Sequence, residues 1–154
     1  MKKLLLTTLS LAVLSTNVSA YDTAKATNLE HFYAHMTQKA CADSKLFIKA
    51  GDVMKMLRDK KAFTLLDVRT EGEANIIALS GKNAMHISIE NLFQKEHLDT
   101  LPTDKPIVVV CHSGTRATLA AIGLKRIGFK KVHVLKGGLI ALAKANNPKN
   151  APLK

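Results

Sequence analysis

Cys111, His112, Ser113, Gly114, Thr115 and Arg116 form one short run. It lies between the apolar segment Ile107-Val108-Val109-Val110 and a stretch with helical spacing that begins near Thr115. If the apolar segment is a strand, Cys111 is its last residue, and in open α/β sheets ligands gather at the carboxyl ends of the strands. A helix starting after such a loop turns its unpaired N–H groups and positive dipole end toward the sulfur. Both favour the thiolate over the thiol, and the thiolate is the nucleophile. Gly114 lets the backbone curl tightly. Arg116 adds a permanent positive charge and a fork of donors shaped for an oxyanion. Ser113 and Thr115 offer hydroxyl donors. The sum is an anion cradle with a thiolate at its base. The competing reading of Cys111 is a buried strand-end thiol, since free cysteine is among the most buried residue types. Gly114 and Arg116 at these spacings weigh against it. His112 reads equally as an anion contact or as a solvated loop side chain.

The elements that must hold this loop alternate along the chain. Leu29, Phe32, Tyr33 and Met36 share one helical face, capped by Thr27 or Asn28, and predict a helix ending near Ala40. Leu46-Phe47-Ile48 reads as a short strand, and Val53, Met54, Met56 and Leu57 mark a helix over about Ala50 to Lys60. Ala62 to Leu66 is a buried strand, Glu71 to Gly81 an irregular stretch, and Ala84 to Ile87 another strand. Asn91 to Leu101 predicts a short helix stopped by Pro102. Four consecutive β-branched residues, Ile107 to Val110, suit a strand covered on both faces. Leu119, Ile122, Leu124 and Ile127 then follow at helical spacing before Gly128. Val132 to Leu135 is the last strand, and Gly137-Gly138 turns into a helix from Leu139 to Ala143. Alternation with short connections predicts a mostly parallel sheet with helices on both faces.

Length and composition set the frame. With 154 residues, 47% apolar and 23% charged, the chain is sized for one globular domain. Two cysteines exclude a disulfide scaffold and an all-cysteine zinc site. Lys2 and Lys3, the apolar run Leu4 to Leu14, and Val18-Ser19-Ala20 make the three-part pattern of a secretory signal peptide. The apolar run is too short for a membrane span, which needs ~20 apolar residues. Cleavage after Ala20 takes the chain from 154 to 134 residues and its net charge from +11 to +9. This predicts a periplasmic or secreted protein with no membrane attachment after cleavage. The charge is scattered and aromatics are only 5%, so a nucleic-acid surface is not expected; attraction of small anions is. The expected organisation is a signal peptide at 1–20, a helical extension at 21–44, the α/β domain at 45–146 and a flexible tail at 147–154. His31 and His35, one helical turn apart, read as a polar helix face rather than as metal ligands. Without a glycine-rich phosphate motif, nucleotides are not implied, and no cofactor is expected.

The run Cys111 to Ala117 resembles the active-site loop of the rhodanese sulfurtransferases. Leu65-Leu66-Asp67-Val68-Arg69-Thr70 is similar to that family's strand ending in Asp-Val-Arg. Ile107 to Cys111 resembles its strand into the catalytic cysteine, and Val132 to Gly138 its late strand and Gly-Gly turn. The resemblance covers Leu46 to about Asn146. It implies a rhodanese-like α/β fold with a five-stranded, mostly parallel sheet. It implies that Cys111 accepts sulfane sulfur from an anionic donor such as thiosulfate, and passes it from a persulfide to cyanide or a thiol. Loop amides would hold the persulfide without a metal, and His112, Ser113, Gly114, Thr115 and Arg116 would bind substrate. Arg69 would buttress the loop region, or else pair with Glu71 or Glu73. The chain departs from the family at Asn75-Ile76-Ile77, where Gly-His-Ile is frequent. Leu139 and Leu142 stand where a tryptophan is common, and Ala117 where a serine is.

Two other classes compete. Phosphatases and arsenate reductases of related fold have five residues between cysteine and arginine, whereas Cys111 and Arg116 enclose four, a smaller cradle. A persulfide carrier or redox-sensing module would form one persulfide and stop. Cys41, outside the resemblance, is expected to be an inert thiol packed under the N-terminal helix, remote from Cys111 and not disulfide-bonded to it in the active form.

Overall fold

The computed structural model describes residues 20–151. The expected signal peptide, apart from Ala20, and the last three residues of the expected tail lie outside the described residues. The described residues divide into two compact units, with the boundary between His35 and Met36.

The first unit carries α1 (Thr23–Tyr33), which buries no residue. Its start lies earlier than Thr27, because the Asp22 carboxylate accepts the Lys25 N–H at 3.0 Å and caps the helix there. The helix also does not run on to Ala40. Thr37 adopts extended backbone and accepts the Ala40 N–H at 3.1 Å, opening a separate helix, α2 (Gln38–Asp43), in the second unit.

The second unit holds a five-stranded, wholly parallel sheet. Its elements are β1 (Phe47–Ile48), α3 (Ala50–Arg58), β2 (Thr64–Asp67), α4 (Glu71–Ile76), β3 (Ala84–His86), α5 (Lys95–Leu98), β4 (Ile107–Val110), α6 (Thr115–Arg126), β5 (Val132–Leu135) and α7 (Gly138–Ala145). The spatial order is β1-β5-β4-β2-β3, so β4 sits at the centre with Asp67 of β2 paired to Val110. Successive β4 residues point to opposite faces. Ile107 and Val109 join a core with Ala117, Ala120, Ala121 and Leu124 of α6, and Val108 and Val110 join one with Val53, Met54 and Leu142 of α3 and α7. Each fully buried valine contributes roughly 1.5–3 kcal/mol by leaving water. That explains why a strand clad on both faces is continuously β-branched.

Other expectations about elements change as well. Glu71 to Ile76 is helical rather than irregular: Thr70 and Glu73 form a reciprocal capping box, and the helix buries nothing, so it has no apolar period to betray it. The helix expected over Asn91 to Leu101 contracts to α5, because Asn91 and Leu92 both donate to the Ser88 carbonyl and wind the preceding segment into turns. The buried stripe of α6 is Ala117, Ala120, Ala121 and Leu124, whereas Leu119 and Ile127 are 63% and 53% exposed. Small side chains at this spacing let the helix lie close to β4 and β5. Asn147 to Ala151, within the expected tail, form a turn in which Asn150 and Ala151 donate to the Asn147 carbonyl.

Candidate active site

Cys111 follows β4 directly and is 1% exposed. Its Sγ accepts the Gly114 N–H at 3.1 Å and the Ala117 N–H at 3.4 Å. The chain turns back over its own sulfur because Gly114 has φ of +120°, a conformation that strains any residue with a Cβ. Thr115 and Arg116 open the first turn of α6, where N–H groups have no partner within the helix.

The loop's carbonyls are held elsewhere. Leu139 N–H donates to the Cys111 carbonyl at 2.8 Å and Ile140 N–H to the His112 carbonyl at 3.3 Å. The N-terminus of α7 thus grips the two carbonyls that would otherwise compete for the sulfur's side of the loop. This contact requires Gly138. Its φ is +57°, and a Cβ there would overlap the carbonyl oxygens of both Cys111 and His112. In sequence Gly137-Gly138 reads as a turn; its service to the Cys111 loop becomes visible only when β4 and β5 lie side by side.

Arg116 is in place but not free. Its Nη1 and Nη2 donate to the two carboxylate oxygens of Glu73 at 2.6 and 2.7 Å. The Arg116 guanidinium, aided by the Thr70 N–H, pulls the Glu73 carboxyl down to about 2, and Glu73 in turn raises the Arg116 pKa. Glu73 is a site residue that the spacing from Cys111 to Arg116 does not point to. The signal for it is Thr70-x-x-Glu73, a capping box immediately after Asp-Val-Arg.

Arg69 does not pair with the Glu71 or Glu73 carboxylates. It is 3% exposed and bonds the Asp67 carboxylate through Nε at 3.0 Å and Nη2 at 2.6 Å, because Asp67 lies two residues back on the same side of the extended chain. That pairing is the first cause of its raised pKa. The remaining donors reach the Ile77 carbonyl at 2.6 Å and the Glu73 carbonyl at 3.4 Å. Arg69 therefore braces α4, and α4 carries the carboxylate that holds Arg116. His112, Ser113 and Thr115 are solvent-exposed at the rim, with Gly114 half-buried behind them.

Beside the loop lies an open cleft of about 520 Å³. His112, Glu73 and Arg69 contribute to its wall; the rest is Ile76, Ile77, Leu139, Ile140 and Ala143. Cys41, expected under a helix, is exposed instead, because α2 buries none of its residues; both cysteines are free thiols. Among the described residues no cluster of three metal-ligating side chains forms.

Comparison with known proteins places this geometry. The Rhodanese-like domain family matches residues 49–145. The chain is 33% identical over 88 residues to the probable adenylyltransferase/sulfurtransferase MoeZ of Mycobacterium tuberculosis, covering 57% of this chain and only 22% of that protein's length. It is 29% identical over 106 residues to the thiosulfate sulfurtransferase GlpE of Vibrio cholerae, covering 69% of this chain and 95% of the relative. The crystal structure of a rhodanese-related protein from Thermoplasma volcanium superposes with a TM-score of 0.55 at 29% identity, covering 66% of this chain and 93% of that one. The family match spans well over half of the chain and contains the whole sheet from β2 onward with the Cys111 loop, and the chain belongs to the rhodanese-like domain family.

Proposed function

We propose that this chain is an exported sulfurtransferase in which Cys111 takes sulfane sulfur from an anionic donor such as thiosulfate and passes it to cyanide or a thiol. The observation that carries this reading is the pair of amides on Cys111 Sγ, at 3.1 and 3.4 Å, in a loop whose carbonyls are held by α7. The Cys111 thiolate attacks the outer sulfur of thiosulfate. A new sulfur–sulfur bond forms on Sγ, the sulfur–sulfur bond of thiosulfate breaks, and its electron pair leaves with sulfite. The persulfide then carries its charge toward the amides at the start of α6. Preorganised donors of this kind are worth about 10²–10³ in rate each when aimed at developing charge. In the second step the acceptor attacks the outer sulfur and the Cys111 thiolate departs. One difficult displacement becomes two easier ones. The likeness to a protein named thiosulfate sulfurtransferase supports the donor class.

Mass spectrometry of the purified protein after thiosulfate treatment tests the reading. The expected result is a gain of one sulfur on Cys111, removed by cyanide with release of thiocyanate. Cys111→Ser should keep the fold and gain no sulfur; full transfer by that variant would overturn the mechanism. A persulfide carrier is the second reading, favoured by the engagement of both Arg116 Nη groups with Glu73, which leaves the donor less positive charge. A carrier loads once and shows no sustained thiocyanate production. Export rests on Lys2-Lys3, the apolar run and Val18-Ser19-Ala20. Protein recovered from the periplasm or medium should begin at Tyr21, and an intact Met1 start there would count against cleavage.

A further inference from the structure

The cleft beside the catalytic loop bears on which acceptor this site serves, a question that rests on the sulfurtransferase reading above. Its volume, about 520 Å³, far exceeds what cyanide needs and falls in the range of pockets for small organic ligands. Three of its walls are isoleucines left in water: Ile76 is 84% exposed, Ile77 60% and Ile140 42%. Exposed β-branched apolar side chains gathered around one concavity mark a binding surface rather than a scatter of surface residues. The charged members of the wall already have partners within the protein, Arg69 with Asp67 and Glu73 with Arg116. The cleft thus presents apolar surface and no unpaired charge.

It is also continuous with the reactive loop. His112, next to Cys111, lines it, and the Ile140 N–H bonds the His112 carbonyl at 3.3 Å. A second cleft of about 380 Å³ shares Ile77, Leu139 and Ala143 with the first and extends the apolar wall toward Met54 and Leu57. Departures from the family pattern fall here: Ile76 stands in the stretch where Gly-His-Ile is frequent, and Leu139 where a larger tryptophan is common.

We propose that this cleft binds the sulfur acceptor, and that the acceptor is a small organic thiol with an uncharged, apolar body. Seated there, its thiolate attacks the outer sulfur of the Cys111 persulfide. A bond forms between the two sulfurs as the bond to Sγ breaks. The electron pair of the broken bond stays on the Cys111 thiolate, and the persulfide's negative charge leaves with the transferred sulfur as an organic persulfide anion. No external oxidant or reductant enters.

The test uses the full-length protein loaded with thiosulfate, desalted, and mixed with butanethiol, benzyl mercaptan, 2-mercaptoethanol or mercaptoethanesulfonate. Loss of the extra sulfur from Cys111 is followed by mass spectrometry, with rates compared at equal thiolate concentration. The two apolar thiols should react at least ten-fold faster than the other two, with saturation at high concentration. Ile76→Ser and Ile140→Ser should each reduce that preference, and the double variant should bring it close to one. Failure of the wild type to gain a sulfur overturns the sulfurtransferase reading itself. Normal loading with equal rates for all four thiols, or transfer to none of them, overturns the apolar acceptor alone. So does a preference untouched by the isoleucine variants.

Discussion

At the scale of single residues, the site depends on which partners each charge finds. Arg116 and Glu73 are each about one third exposed, so their pair is worth less than a fully buried one. Arg116→Ala should cost about 2 kcal/mol of transition-state stabilisation, the low end for truncating one partner of a close charge pair. That corresponds to a loss of roughly thirty-fold in kcat/KM for thiosulfate, measured by steady-state sulfur transfer. Glu73 gives a pH signature. Its folded carboxyl is depressed from 4.5 to about 2, so the stabilisation it brings is fully present above 4.5 and is lost as pH falls toward 2. Urea unfolding should therefore find Glu73→Gln less stable than wild type at pH 6, with the gap closing as the pH approaches 2. A constant gap at all pH values would show that the carboxylate charge is not what matters.

At the scale of elements, the loop is a joint between α6, which supplies amides to the sulfur, and α7, which removes carbonyls from it. Gly138→Ala places a Cβ on those carbonyls and strains a residue at φ +57°. It should cost about 2–5 kcal/mol from left-handed backbone and steric overlap together. Sulfur loading by mass spectrometry should fall with it, more steeply than thermal stability does. α4 plays a quieter part. Thr70→Ala removes the cap that accepts the Glu73 N–H at 3.3 Å and the hydroxyl donor on its carboxylate at 3.0 Å. The expected loss is about 1 kcal/mol in stability by urea titration, the usual cost of an N-cap. Periodicity could not reveal α4, because that signal records burial and this helix buries none of its residues. In α6 the helical spacing picks out Leu119 and Ile127, which are exposed, because the alanines that pack closest are the least conspicuous apolar residues.

At the scale of the whole molecule, every residue assigned to the site lies in the unit that begins at Met36. A chain starting at Met36 should gain one sulfur from thiosulfate at a rate within two- to three-fold of the full chain, by the same mass measurement. A larger loss would give the preceding residues a part in the chemistry. The net charge of +11 has its own consequence. Steering of a dianionic donor weakens as salt shortens the Debye length to about 8 Å at 0.15 M. Loading by thiosulfate should slow with added potassium chloride, while transfer to an uncharged thiol should change little. Equal sensitivity of the two steps would point to a structural effect of salt.

The sequence by itself determined the Cys111 loop, its strand and helix, and the parallel α/β sheet, because these are local. A β-branched run, a Cys-to-Arg loop closed by Gly114 and alternating strand and helix patterns can each be read within a dozen residues. Only the tertiary structure decided what those residues touch. Arg116 and Glu73 are 43 positions apart, and Leu139 meets the Cys111 carbonyl across the β4–β5 pairing. Arg69 had carboxylates within reach on both sides, and its burial beside Asp67 settled the choice. Composition says which charges exist; the order of strands in the sheet sets which of them meet, and electrostatic energy depends on that distance.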